Sequence, residues 1–180
     1  LKIIIIGDSG VGKTCLTYRA TSGEFREKIA ATIGFEYFPF VVKYQNKILK
    51  LEIWDTCGQE AYRSLIKSFF NNSSLAIIVY AVDNKKSFTS IDEWIRQCRN
   101  LCSPDTKFFL IGNKNDKENE SNLNENEEGI IKEAKNGEFI EEGKQLSKKY
   151  KSIFILTSAF DNKGLENILD EAIEKYLNKK

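Results

Sequence analysis

Gly7-Asp8-Ser9-Gly10-Val11-Gly12-Lys13-Thr14 fits the pattern GxxxxGK[ST]. Glycines in such a loop let backbone N–H groups close around an anion, the lysine brings a positive charge to terminal phosphates, and the hydroxyl that follows can ligate a metal. Together these are the parts needed to hold a nucleoside triphosphate with magnesium. Ser9, Gly10, Val11, Gly12, Lys13, Thr14 and Cys15 are the residues placed to contact phosphate. The loop selects neither the base nor the reaction.

Two further segments address those questions. In Asn113-Lys114-Asn115-Asp116, the Asp116 carboxylate can accept two hydrogen bonds, from N1–H and the exocyclic amine of guanine, whereas adenine offers no such pair. In Asp55-Thr56-Cys57-Gly58-Gln59-Glu60, Asp55 can hold magnesium through water, Gly58 can bring its N–H to a terminal phosphate, and Gln59 can orient a water. Thr14, Thr32 and Asp55 are therefore the candidate metal ligands, and Lys13, Gly58 and Gln59 the candidate catalytic residues.

These segments need a scaffold that brings them to one place. Residues 1–6, 75–82, 108–111 and 153–156 are nearly continuous apolar runs, as in parallel strands covered on both faces. Apolar residues step by three or four over 87–102 and 165–177, which predicts two amphipathic helices, and a helix over 13–20 follows the glycine-rich loop. Strands alternating with helices give a βαβ sheet. Residues 35–42 and 48–54 are separated by too short a turn for a crossover, so they form an antiparallel hairpin. Pro39 cannot donate to a ladder and puts the first of them at the sheet edge. The expected fold is α/β: a six-stranded, mostly parallel sheet with one antiparallel edge strand and helices on both faces. Ligands of such sheets lie beyond the carboxyl ends of the strands, where the phosphate loop and Asn113–Asp116 both fall.

The length of 180 residues suits a single domain. Residues 117–137 hold a polar stretch, rich in Glu and Asn, read as a solvated insertion. A net charge of +1 argues against a nucleic-acid partner. The absence of histidine removes every mechanism with an imidazole base. Cys15, Cys57, Cys98 and Cys102 do not form a disulfide framework, which fits a reducing, cytoplasmic setting. No apolar run is long enough to cross a bilayer.

The ordered set GDSGVGKT, TIG, WDTCGQE, NKND and TSA resembles the nucleotide-binding motifs of Ras-superfamily GTPases, over nearly the whole chain outside 117–137. Ile33-Gly34-Phe35, Lys50 to Trp54 and Tyr62-Arg63-Ser64-Leu65 are most similar to the Rab branch. The resemblance implies a P-loop NTPase fold, a GTP/GDP switch with Mg²⁺, and slow GTP hydrolysis accelerated by a GTPase-activating protein. It implies that Phe25 packs on the guanine face, that Ser158 and Ala159 close over the base edge, and that Tyr37, Trp54 and Phe69 form an aromatic cluster reporting nucleotide state. Exchange factors, activating proteins and effectors would engage the segments around Thr32 and Gln59 of a monomer. The role implied is in vesicle traffic, with peripheral membrane attachment through a lipidated C-terminus whose cysteines this sequence does not contain.

Three features depart from the pattern: Cys57 where alanine is usual, Phe160 where lysine is common, and the insertion, which falls where Rho proteins carry an extra helix. A Rho-like GTPase is thus the second reading, and Thr32-Ile33-Gly34 favours Rab. Asp116 and the acidic character of the insertion argue against a P-loop kinase, and retention of Lys13, Thr32 and Gln59 argues against a binding module without turnover.

Overall fold

The four isoleucines of β1 (Lys2–Ile6) are all buried, Ile3 and Ile5 on one side and Ile4 and Ile6 on the other. A strand with no solvent face needs helices on both sides, and the computed structural model, which describes residues 1–27, 29–59, 68–118 and 136–177, supplies them. In chain order the elements are β1, α1 (Lys13–Ser22), β2 (Phe35–Tyr44), β3 (Lys47–Thr56), β4 (Leu75–Ala81), α2 (Lys85–Thr89), α3 (Ile91–Leu101), β5 (Lys107–Asn113), a 3-10 turn (Asn115–Glu118), α4 (Asn136–Tyr150), β6 (Ile153–Leu156) and α5 (Leu165–Leu177). Leu16 of α1 and Leu165, Ile168 and Ala172 of α5 cover the Ile3 and Ile5 face. Ile91, Trp94, Ile95 and Cys98 of α3 and Ile140 of α4 cover the other.

The sheet order is β2-β3-β1-β4-β5-β6, parallel except for the antiparallel β2–β3 pair. The chain leaves β1 toward β3 on one side and returns to β4 on the other, so the order reverses at β1. That is where a ligand crevice opens in an α/β sheet, and the glycine-rich loop follows β1 directly.

The hairpin is longer than its sequence pattern suggested. Tyr44 pairs with Lys47, leaving a two-residue turn in which Gln45 takes φ 54°. Pro39 lies on β2, the edge strand, opposite Glu52. The single helix expected over 87–102 is two helices meeting at Ser90. Asn84 caps the first by accepting from Ser87 N–H at 3.0 Å, so it starts at Lys85. The hydroxyls of Thr89 and Ser90 both donate to Lys86 O, at 2.9 and 3.0 Å, and such back-bonding competes with the helical ladder.

Of the polar segment expected at 117–137, Lys117 and Glu118 belong to the 3-10 turn and α4 begins at Asn136. Residues 119–135 lie outside the described residues, as do Tyr62, Arg63, Ser64 and Leu65. All four cysteines are unbridged. Among the described residues no helix is long and apolar enough to cross a membrane.

Candidate functional site

Gly12 sits at the N-terminal end of α1 with φ 94°, and a Cβ there would lie 2.4 Å from Asn113 Nδ2. Only glycine meets both demands. No side chain caps the helix, so the first-turn N–H groups remain available to an anion. Lys13 is buried and its ammonium arches back over the loop, donating to Gly7 O at 2.9 Å and Asp8 O at 2.8 Å. Burial lowers its pKa, and nearby Asp55 opposes that shift. The two carbonyl bonds hold the ammonium over the loop. Val11 is buried, while Ser9 and Gly10 are exposed at the loop's crest and Cys15 is half-buried in the first turn of α1.

Asp55, at the end of β3, is fully buried. Thr14 Oγ1 donates to its Oδ2 at 2.5 Å and lies 2.9 Å from Thr32 Oγ1. Having given its proton to the carboxylate, Thr14 accepts from Thr32. Asp55 Oδ1 is buried with no hydrogen-bond partner. Burial pushes the Asp55 carboxyl up to about 6, against the opposing pull of Thr14 and Lys13. An orphaned carboxylate oxygen beside two hydroxyls is a hard, all-oxygen donor set, and it fits magnesium rather than a thiolate- or imidazole-seeking metal.

Gly58 packs against the phosphate loop so closely that a Cβ would lie 2.3 Å from the Asp8 carbonyl carbon and 2.4 Å from Ser9 N. Gln59 follows with an exposed side chain, and its N–H donates to Cys57 Sγ at 3.4 Å. Cys57, the unusual thiol, is itself buried, and its N–H donates to Gly34 O at 2.8 Å, joining the Thr32 segment to the end of β3. A cavity of about 300 Å³ is lined by Ser9, Gly12, Lys13, Thr14, Thr32, Cys57, Gly58 and Lys114. The phosphate loop, Thr14, Thr32 and Lys114 therefore border one space, with Asp55 buried beneath Thr14 and hydrogen-bonded to it.

The base end is built on β5 and β6. Asn113, buried, donates from Nδ2 to Val11 O at 2.8 Å and accepts at Oδ1 from Thr157 Oγ1 at 3.1 Å. Lys114 takes φ 67°, an uncommon conformation for a residue with a side chain. Asp116 Oδ1 accepts from Ser158 Oγ at 2.6 Å. Ala159 is buried. Phe25, expected on the guanine face, meets Phe160 edge-on, ring centroids 5.3 Å apart, so the residue that replaces the common lysine packs beside it.

The aromatic cluster is larger than the expected trio. Tyr37 and Trp54 are 4.9 Å apart and Trp54 and Phe69 5.0 Å, but Phe35 joins both, 5.2 Å from Trp54 and 4.3 Å from Phe69. Phe35 is the member that sequence reading omitted, although its register opposite Thr56, two residues along β3 from Trp54, places it on the same face. Trp94 was missed as well: from α3 its indole N–H donates to Asp8 Oδ1 at 2.9 Å, bracing the phosphate loop. Its helical spacing signalled a core residue and nothing more.

A model of the Ras family matches residues 2–178. The chain is 36% identical over 165 residues to the Ras-related protein Rab-11B of Dictyostelium discoideum, covering 92% of this chain and 68% of that protein. It is 35% identical over 168 residues to Rab-4 of the same organism, covering 93% and 75%. With Rab-18-B of Danio rerio it shares 34% over 178 residues, covering 98% and 79%.

Proposed function

The chain belongs to the Ras family of small GTPases, and from that premise we propose that it is a GTP/GDP switch of the Rab branch, hydrolysing GTP slowly and serving vesicle traffic. The observation that carries the reading is the convergence of Lys13, Thr14, Thr32 and the half-orphaned Asp55 carboxylate at the phosphate end of a cleft whose other wall bears Lys114.

Under this reading the loop amides and Lys13 hold the β- and γ-phosphates, and Thr14, Thr32 and Asp55 would hold magnesium, whose charge would offset that of the phosphates. Gly58 brings its N–H to the γ-phosphate, and Gln59 orients the water that attacks phosphorus in line with the departing GDP oxygen. Attack and departure need little covalent help from the protein, so positioning and charge balance supply the catalysis. Among the described residues no arginine lines the phosphate end of the cleft, which leaves room for acceleration by an activating protein. Asp116 and the Ser158–Ala159 segment read guanine, with Phe25 against its face.

Release of Thr32 and Gln59 after hydrolysis would loosen the surface carrying Phe35, Tyr37, Trp54 and Phe69, the means by which effectors sense the nucleotide. Those rings lie on or beside the hairpin, and the Rab names of the relatives favour this branch over Rho. The test is twofold: single-turnover phosphate release from GTP with magnesium, and capture of partners from the source cell with protein loaded with a GTP analogue or GDP. No release, or an identical partner set in both states, would contradict the switch.

A further inference from the structure

Arg19, in the last turn of α1, commits three nitrogens of its guanidinium to carbonyls. Nε donates to Ala159 O at 3.0 Å, Nη2 to Phe160 O at 2.9 Å and Nη1 to Gly23 O at 2.8 Å, with its Cζ 5.8 Å from the centre of the Phe25 ring. The last of those carbonyls is local to α1, which makes Arg19 in part a helix cap. The first two lie 140 and 141 residues away, on the loop after β6.

The Phe160–Asp161 peptide is planar and trans, so its C=O and N–H point to opposite sides. Its C=O accepts from Arg19. Its N–H donates to Ser158 Oγ at 3.0 Å. That bond occupies an acceptor site of the hydroxyl, whose own proton goes to Asp116 Oδ1 at 2.6 Å. Four groups thus form one chain of hydrogen bonds, each polarising the next. We propose that Arg19 is a positioning residue for base recognition, aiming the Asp116 carboxylate through the Phe160–Asp161 peptide and the Ser158 hydroxyl. The proposal rests on the reading of Asp116 as the group that recognises guanine. Arginine suits this place because its rigid planar fork spreads three N–H donors over Ala159 O, Phe160 O and Gly23 O, a spread that a single ammonium nitrogen does not match.

Inosine diphosphate separates aiming from mere capping, since it lacks only the exocyclic amine that Asp116 would accept from. Competition against a fluorescent GDP gives the affinities of GDP, IDP and ADP for wild type, R19Q, R19K, S158A and the double variant R19Q/S158A. Wild type is expected to prefer GDP over IDP. R19Q and S158A each reduce that preference by about three- to tenfold, the size of an ordinary net hydrogen bond. R19K changes it in the same direction. In the double variant the reduction is no greater than in S158A alone, because both break one chain. If R19Q and R19K weaken GDP and IDP equally, or if the two single effects multiply in the double variant, the relay is overturned and Arg19 is only a cap. A wild type that binds GDP no better than ADP overturns the reading of Asp116 itself.

Discussion

Asp116→Asn exchanges one oxygen of the proposed base reader for an NH₂ group and is nearly isosteric. The structure decides how the new amide turns. Ser158 Oγ donates to Asp116 Oδ1 at 2.6 Å, and that proton needs an acceptor, so the asparagine oxygen takes the Ser158 side and its NH₂ faces the base. Guanine then presents N–H donors to a donor, whereas xanthine carries a carbonyl where guanine has its exocyclic amine and accepts from the new amide. Losing a charge-assisted hydrogen bond to a desolvated donor costs about 1.5–3 kcal/mol, so GTP affinity is expected to fall roughly tenfold to a hundredfold while XTP affinity rises. Competition binding of GTP, ATP and XTP to both proteins measures this. Full GTP affinity in the variant, or a wild type indifferent between GTP and ATP, refutes the assignment and revives a P-loop kinase.

Three other substitutions address the phosphate end. Gln59→Leu keeps nucleotide binding but slows single-turnover phosphate release on the order of 10²-fold, the usual cost of one positioned hydrogen-bonding group; an unchanged rate removes Gln59 from the mechanism. Thr14→Asn replaces the hydroxyl that donates to Asp55 with a bulkier amide, so GTP affinity in magnesium falls roughly tenfold to a hundredfold while GDP binding survives in part, as titration calorimetry with each nucleotide would show. Trp94→Phe deletes the N–H that braces Asp8 and is expected to lower unfolding free energy by about 1–3 kcal/mol, read from urea denaturation of the nucleotide-bound protein; a shift under a few tenths means the bond adds nothing net.

How much of this was legible in the sequence follows from the range of each interaction. The glycine-rich loop, Asn113–Asp116 and Asp55–Gln59 are contiguous, and their chemistry depends on residue types at fixed short spacing, so they could be read directly. The strands could too, because β1, β4 and β5 are apolar on both faces. The break at Ser90 escaped notice because the apolar steps of 87–102 continue across it, and only the hydroxyl bonds of Thr89 and Ser90 to Lys86 O reveal it. Trp94 and Arg19 were missed for a different reason. Each acts through a partner far along the chain, 86 residues away for Trp94 and 140 for Arg19, and no local pattern encodes such pairings.

The two ends of the cleft are joined by unlike means, and the difference bears on switching. Asn113 is a buried amide that bonds Val11 O on one side and the Thr157 hydroxyl on the other, while Asn115 N–H donates to Thr157 O. Phosphate loop and base loop are thereby locked through the Asn113 side chain inside the core, where breaking a bond leaves an unsatisfied buried partner. The segments expected to sense the γ-phosphate are held more lightly. Among the described residues, Thr32 reaches the site through one hydroxyl contact with Thr14, and Gly34 through one bond from Cys57 N–H, while Ile33 and the Gln59 side chain are exposed. Few buried contacts mean a low free energy of local opening. Under the proposed switch, a nucleotide would stay seated on the half locked through Asn113 while the other half responds to the loss of a single phosphate, the division of labour that such a switch requires.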